Sequence, residues 1–383
     1  MRNRFYIKNR YRLSVIKLAA KRIAFLLLVC TLVYALPKSA DSALSGFFRS
    51  VGGNQKLSDF LLRTGFGMGY DLNIKNLSPF SFFFPSMKKV DMDSNTVDEP
   101  ENENENEDVS SQTDQTPEQV GDITIIPTTM TGEGSSSYDY SGGIYFNNKT
   151  DYTLDGQQLL DSGSSIKIDS DGPQVLIIHT HGSESYTPSG DDVYVESDPS
   201  RTEDTNYNMV RIGNELADIF EKNGIDVIHD TTLYDYPSYT GSYNRSLEAM
   251  EKYLEEYPSI KIVLDIHRDA LEGEGTRYKT VAKIDGVDAC SQIMLVVGTD
   301  YNGLEHPKWR ENLAFATMLQ KAASDEYPTL MRPLTVSGSR YNQHTTTGSL
   351  IIEVGTNGNT LQEALTAIRL FGETASEVIL SLK

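Results

Sequence analysis

The stretch "VLIIHTHGSESY", Val175 to Tyr186, begins as an unbroken apolar run and ends in two histidines, a glycine and a glutamate. A short run with no polar alternation reads as a strand buried on both faces, the habit of parallel sheets. The same habit recurs in "IDVIHD" (225–230), "IKIVLDIH" (260–267), "SQIMLVVG" (291–298) and "SLIIEVG" (349–355). Amphipathic helical patterns at about 206–223, 243–257, 310–325 and 360–382 separate these runs. In "FEKNGIDV" a helix end, the Gly224 cap and the next strand follow one another directly. Strands alternating with helices predict an α/β domain over 141–383, with a mostly parallel central sheet and helices on both faces. An extra edge element or hairpin is expected at 273–284.

Outward from this domain the composition changes. Residues 1–40 hold nine Lys and Arg and no acid, so the remaining 25 bases face 54 acids and the chain after residue 40 carries −29. Such a charge argues against a nucleic acid as partner. Residues 1–22 read as a basic cytoplasmic tail. The uncharged "IAFLLLVCTLVYAL", 23–36, reads as a transmembrane anchor with everything after it outside the cytoplasm. Its length lies between that of a spanning helix and a signal-peptide core, so a retained anchor, the favoured reading, stands beside a cleaved signal. Residues 37–90 form a juxtamembrane segment containing "PFSFFFPS", and 91–140 an acidic linker with too little to bury to repay its ordering. Two cysteines, one of them inside the apolar run, do not make a disulfide framework.

Ligands of open α/β sheets bind beyond the carboxyl ends of the strands. There this chain carries His179, His181 and Glu184 after the first strand, His267 in "LDIHRDA" and Glu353 in "SLIIEVG". Hydrolytic zinc sites use three His or carboxylate ligands and one open position. His181 and Glu184, spaced H-x-x-E, with His267 as the distant third, fit that set for Zn²⁺. Glu353 suits the general base that receives a proton from metal-bound water. His179 continues the strand and is expected in a structural or supporting role, while His229 and His306 lie outside any pattern. The loop "SGSRYNQHTTTG" (337–348) offers Arg340, Asn342 and His344 for contacts to substrate or transition state.

Together "HTHGSESYTP", "DIHRDA" and "RYNQHTTTGSLIIEVGTNGNT", in this order behind an N-terminal anchor, resemble the stage II sporulation protein P family of endospore-forming Firmicutes over roughly 170–383. The resemblance implies a zinc-dependent wall hydrolase with the fold of the N-acetylmuramoyl-L-alanine amidases. It also implies cleavage of the amide between N-acetylmuramic acid and L-alanine in peptidoglycan, with endopeptidase activity on crosslinks, during forespore engulfment. Sporulation proteins D and M are the implied partners, at the septal membrane. The family's motif falls on Thr180, His181, Glu184, Ser185 and Tyr186, its second histidine on His267 and its catalytic glutamate on Glu353. The wider zinc amidases take their glutamate ligand from the start of the helix after the first strand, where this chain has Glu203 and Asp204. Asp204 therefore competes with Glu184 as third ligand. The rivals are another metal hydrolase, such as a deacetylase or phosphatase, and a non-catalytic wall-binding scaffold.

Overall fold

A computed structural model describes residues 118–383, apart from 122, 169, 170 and 274. The chain divides into two units, 1–94 and 95–383, and all described residues lie in the second. The basic tail, the anchor, the juxtamembrane segment and the linker up to residue 117 lie outside the described residues. Among the described residues no helix is long and apolar enough to cross a membrane.

The apolar runs form the strands expected of them. Val175–Ile178 is β5, Val227–His229 is β6, Ile262–Asp269 is β7, Ile293–Gly298 is β10 and Gly348–Thr356 is β12. The amphipathic patterns become α2 (Met209–Lys222), α3 (Ser242–Glu256), α4 (Trp309–Glu326) and α5 (Leu361–Leu380), with a short α1 at Gly156–Ser162. Asn208 caps α2 by accepting from Val210 N, and Thr360 with Glu363 forms a capping box at α5.

Five further strands complete the first sheet and build a second: β3 (Asp139–Ser141), β4 (Ile144–Asn148), β11 (Leu334–Ser337), β2 (Ile123–Thr128) and β9 (Thr276–Thr280), with two short edges, β1 (Glu118–Val120) and β8 (Glu272–Gly273). The main sheet runs β3-β4-β11-β10-β12-β7-β5-β6, and the second β1-β2-β9-β8. Two expectations are corrected here. The main sheet is mixed rather than mostly parallel, because β10 runs antiparallel to β12 and β3 antiparallel to β4. An apolar run specifies burial on both faces, and that condition is blind to strand direction. The acidic linker expected as far as residue 140 already contains β1, β2 and the start of β3. The cause is "ITIIPT": Ile125 is buried, and β2 lies in parallel register with β9, the edge element expected at 273–284.

The helices cover the two faces of the main sheet unequally. On one face α2, α4 and α5 bury Leu216, Phe220, Phe315, Leu365 and Phe371 against Ile177, Leu264, Leu295 and Ile352. Each such side chain contributes about 1.5–3 kcal/mol of transfer free energy. On the other face, among the described residues, α3 is the helix that packs, with Met250 against Leu176, Ile178 and Val263 of β5 and β7. The rest of that face, over β12, β10, β11 and β4, lies in an open cleft.

Candidate active site

The cleft has a volume of about 570 Å³ and is lined by His181, Glu184, His267 and Glu353 among others. Register explains the meeting. β7 and β12 run parallel with Glu353 directly opposite His267, so the two side chains stand next to each other on the open face. Asp265, two residues before His267, points the same way by the two-residue period of the strand. Its Oδ1 lies 3.0 Å from His267 Nε2. Thr180 donates to this carboxylate from its backbone N (2.8 Å) and its hydroxyl (2.6 Å), tying the end of β5 to β7.

His181 follows, where the chain leaves β5 and turns over the open face. Its ring stacks on Tyr239 at 4.5 Å, and its Nδ1 lies 3.4 Å from the Ser242 hydroxyl at the start of α3. Its ring centre is 5.3 Å from that of His267. Glu184 comes round the turn to bring Oε2 within 3.8 Å of His267 Nδ1. Arg201 holds its other oxygen at 3.4 Å, and the backbone N of Arg268 donates to Oε2 at 3.4 Å.

These neighbours set the charges. Burial opposes ionisation of Glu184, yet Arg268, then His181, His267 and Arg201, hold its carboxyl below the usual range. Burial pushes His181 down to about 3, so its ring is neutral. Burial also works against a charged His267, but Asp265, Glu353 and Glu184 around it prevail and lift it to about 10. Burial raises Glu353 to about 8, with Asp269 and Glu184 adding to it and His267 opposing. Its Oε2 is enclosed and has no hydrogen-bond partner among the described residues.

Three carboxylates around one imidazole call for a cation, which is a proton on His267 when no metal is present. The donor set suits a divalent ion in its place. Two ligands bonded at ~2.1 Å to one tetrahedral ion stand about 3.4 Å apart, close to the 3.8 Å between His267 Nδ1 and Glu184 Oε2. As they stand, among the described residues, no three such side chains are drawn together into a metal cluster. Asp204, the competing ligand, is exposed, and its carboxylate accepts from Asn206.

Arg340, Asn342 and His344, expected to contact substrate or transition state, are not in the cleft lining. The loop turns through Tyr341 with φ +50°, which sends Tyr341 to the cleft and its neighbours away from it. Arg340 Nη1 donates to the Glu305 carbonyl, His344 packs against His306, and buried Asn342 donates to Tyr243 O and Ser246 Oγ. The loop lies so close on β10 that a Cβ on Gly298 would meet the carbonyl oxygens of Ser339 and Arg340 at 2.5 and 2.6 Å. His179 makes structural contacts only, with the Ile266 carbonyl (3.1 Å) and His229 Nε2 (2.8 Å).

Sequence reasoning missed Asp265, Arg201, Arg268 and Tyr239. Asp265 was open to discovery, since "DIH" on a strand puts its first and third residues on one face. Arg201 and Tyr239 come from connecting segments that carry no periodic signal.

A mixed α/β domain with histidines and carboxylates converging at strand ends, in a cleft on a half-covered sheet, defines a class built for chemistry at a polar, partly buried centre. Within it, the chain belongs to the stage II sporulation protein P family, whose pattern it matches over residues 73–376. It is 28% identical over 215 residues to stage II sporulation protein P of Bacillus subtilis strain 168, a match covering 53% of this chain and about half, 50%, of that relative's length. Among solved structures it is similar to the CwlD amidase of Clostridioides difficile in complex with the GerS lipoprotein, at 17% identity and a TM-score of 0.34 over 55% of this chain and 98% of that one. It is also similar to the N-acetylmuramoyl-L-alanine amidase AmiC2 of Nostoc punctiforme, at 14% identity and a TM-score of 0.32 over 56% and 97%.

Proposed function

We propose that the chain is a zinc-dependent peptidoglycan hydrolase that cuts the amide between N-acetylmuramic acid and L-alanine during forespore engulfment, with peptide crosslinks as a second substrate. The observation that carries the reading is the pairing of His267 with Glu353 across β7 and β12, with His181 and Glu184 turned into the same cleft. Family membership supplies the substrate and the setting.

His181, Glu184 and His267 would hold Zn²⁺, which when bound lowers the pKa of its water towards ~7 and polarises the scissile carbonyl. Asp265 supplies a negative charge 3.0 Å from His267 Nε2, and Nδ1 lies towards Glu184. Arg201 and Arg268 keep Glu184 ionised and in place. Glu353, opposite His267 on the open face, in its ionised form takes a proton from water and returns it to the departing nitrogen of L-alanine. Ser339 and Tyr341 take over the substrate contacts first expected of Arg340, Asn342 and His344. The 23–36 segment anchors the chain in the membrane with this domain outside the cytoplasm, in reach of the wall and of sporulation proteins D and M.

The test is digestion of purified sacculi by the full chain, with Zn²⁺ or with chelator, beside His181→Ala and Glu353→Ala. New L-alanine amino termini that need Zn²⁺ and vanish in both variants support the reading. Release of acetate or phosphate would point to another metal hydrolase. Sacculus binding with no product from the wild type, even with the partner proteins added, would leave a wall-binding scaffold.

A further inference from the structure

Beyond His267 and Glu353 the cleft continues towards the β8–β9 hairpin, where Arg268, Asp269, Glu272, Arg277 and Asn357 line it. β7 and β12 stay paired as far as Asp269 and Thr356, two residues of β7 past His267 and so about 7 Å along the strand. Between the two pairs β12 bulges, with Gly355 at φ +66°, and just after the bulge Asn357 donates from its backbone N to the Asp269 carbonyl at 2.8 Å. β9 comes up against this corner. The Thr356 hydroxyl donates to the Tyr278 carbonyl at 2.6 Å, and Arg277 is the residue before Tyr278.

One carboxylate oxygen ties the corner together. Glu272 Oε2 accepts from Asn357 Nδ2 at 2.7 Å and from Arg277 Nε at 3.2 Å. A carboxylate only accepts, so Glu272 fixes which way the Asn357 amide faces and leaves its Oδ1 turned elsewhere. That oxygen is buried and has no hydrogen-bond partner among the described residues. Glu272 likewise takes only the Nε of Arg277, and among the described residues the two terminal nitrogens of the guanidinium make no hydrogen bond. With the Glu272 side chain 43% exposed, this pairing is a weak one. The other charges here are matched, since Asp269 meets the buried Arg332 at 2.6 Å and Arg268 is committed to the carbonyls of Ser185, Asp269 and Ser200. A donor fork therefore stands beside an acceptor that lacks a donor. An N-acylated α-amino carboxylate is its complement, an oxyanion one carbon from an N–H, and a guanidinium fork binds such a carboxylate through two parallel bonds.

We infer that Arg277 and Asn357 form the subsite for a residue of this kind in the substrate, with the Arg277 fork on its α-carboxylate and Asn357 Oδ1 accepting its N–H. An extended peptide advances ~3.3–3.6 Å per residue, so a group about 7 Å from the reacting amide belongs to the second residue. In a peptidoglycan stem that residue is D-glutamate, joined onward through its side chain with its α-carboxylate free. The C-terminal residue carries the same chemistry and is the other source. The inference rests on the hydrolase reading for the nature of the substrate, and it adds which end of the cleft takes the peptide and which group it reads.

The full chain, wild type and Arg277→Ala, is titrated by calorimetry with the free tripeptide stem, with its analogue carrying the D-glutamate α-carboxylate as carboxamide, and with its C-terminal carboxamide. Wild type should bind the glutamate carboxamide roughly tenfold more weakly than the parent and the C-terminal carboxamide about as well as the parent. Arg277→Ala should bind all three at the weaker level, and Arg277→Lys should recover only part of the loss, because an ammonium lacks the fork. Methylation of the glutamate N–H should weaken binding by wild type roughly fivefold and leave Asn357→Ala unchanged. On muramoyl tripeptides, Arg277→Ala should lower kcat/KM roughly tenfold for the parent and leave it unchanged for the glutamate carboxamide. Sensitivity to the C-terminal carboxamide instead would keep the subsite and assign it the end of the peptide. Equal or undetectable binding of the three peptides by wild type, a comparison that needs no variant to fold, overturns the subsite, as does an equal fall in kcat/KM on both muramoyl tripeptides. Carboxylate-dependent binding without any turnover by the wild type would keep the subsite and reject the hydrolase.

Discussion

His179 and His181 stand two residues apart at the end of one strand, and the sheet sends them to opposite fates. His179 turns under α2, where Gly213 leaves room, and pairs with His229 at 2.8 Å. His181 turns over the open face and meets His267 and Glu184. Both lie buried and both are pushed down to about 3. What separates them is the neighbourhood. One has a second imidazole and a carbonyl, and the other stands beside a ring of carboxylates that needs a cation. A histidine becomes a candidate ligand when the topology leaves its face of the sheet uncovered and the adjoining strands supply anions.

The comparison breaks first at Glu353. Glu353→Gln keeps the shape of the open face and removes the proposed proton carrier, so turnover on sacculi should fall by roughly 10²–10⁴. Because the enclosed Oε2 has no partner, the folded protein should lose no stability. A variant of near wild-type activity would remove Glu353 from the chemistry.

His229 and His267 should also carry opposite pH dependences, measurable by denaturant unfolding of the metal-free protein in chelator. His229 is lowered from 6.5 to about 4, chiefly by burial. Its contribution is present above pH 6.5 and lost as pH falls through about 4. His267 is raised from 6.5 to about 10, so its contribution is present below 6.5 and lost as pH rises through about 10. The two limbs are on the order of 3 and 5 kcal/mol. His229→Phe should reduce the acid limb, to which the similarly lowered His179, His181, His306 and His344 also contribute, and Zn²⁺ should flatten the alkaline limb. A single monotonic slope, unchanged by either, would show that the two clusters do not differ as described.

Gly213→Ala tests the covered face with no change of charge. Its Cβ would fall 2.4 Å from His229 Nε2 and 2.6 Å from His179 Nε2, an overlap worth about 1–3 kcal/mol of stability. The loss should appear as a lower Tm with kcat on sacculi kept within about twofold, since no cleft residue touches this contact. A fall in kcat at unchanged Tm would tie the covered pair to the chemistry after all.

How far the chain announces all this depends on the physical signal each part leaves. β5, β6, β7, β10 and β12 of the main sheet and its four long helices are legible because burial imposes a pattern on the residues, whereas the short β3, β4 and β11 leave too little of one to be read. His181, Glu184, His267 and Glu353 are legible because each interrupts an apolar run or its end with a group too costly to bury idle. Strand direction leaves no mark on composition, so the antiparallel β10 went unseen. Arg201, which grips Glu184, and Tyr239, which stacks on His181, are brought in by connecting segments whose course follows from tertiary packing. β2 shows the limit from the other side, since six strand residues beside an acidic run read as linker until β9 is there to pair with them.

The smallest effect is expected where the loop before β12 turns its most conspicuous donors away. Arg340 and His344 sit within a few residues of the cleft in sequence, but where the loop turns with φ +50° at Tyr341 it is Ser339 and Tyr341 that line the cleft, and Arg340 and His344 do not. Arg340→Ala gives up a 3.3 Å hydrogen bond to the Glu305 carbonyl, at the exposed end of the loop. That bond is worth about 1 kcal/mol or less, and its loss reaches the site only through the loop. Turnover on sacculi should therefore change by less than about twofold. Tyr341→Ala should cost roughly tenfold or more by removing the ring over Met294, Val296 and Ile351. Were Arg340→Ala the more damaging of the two, the loop would have to turn over when substrate binds, with the arginine and not the tyrosine facing the reacting amide.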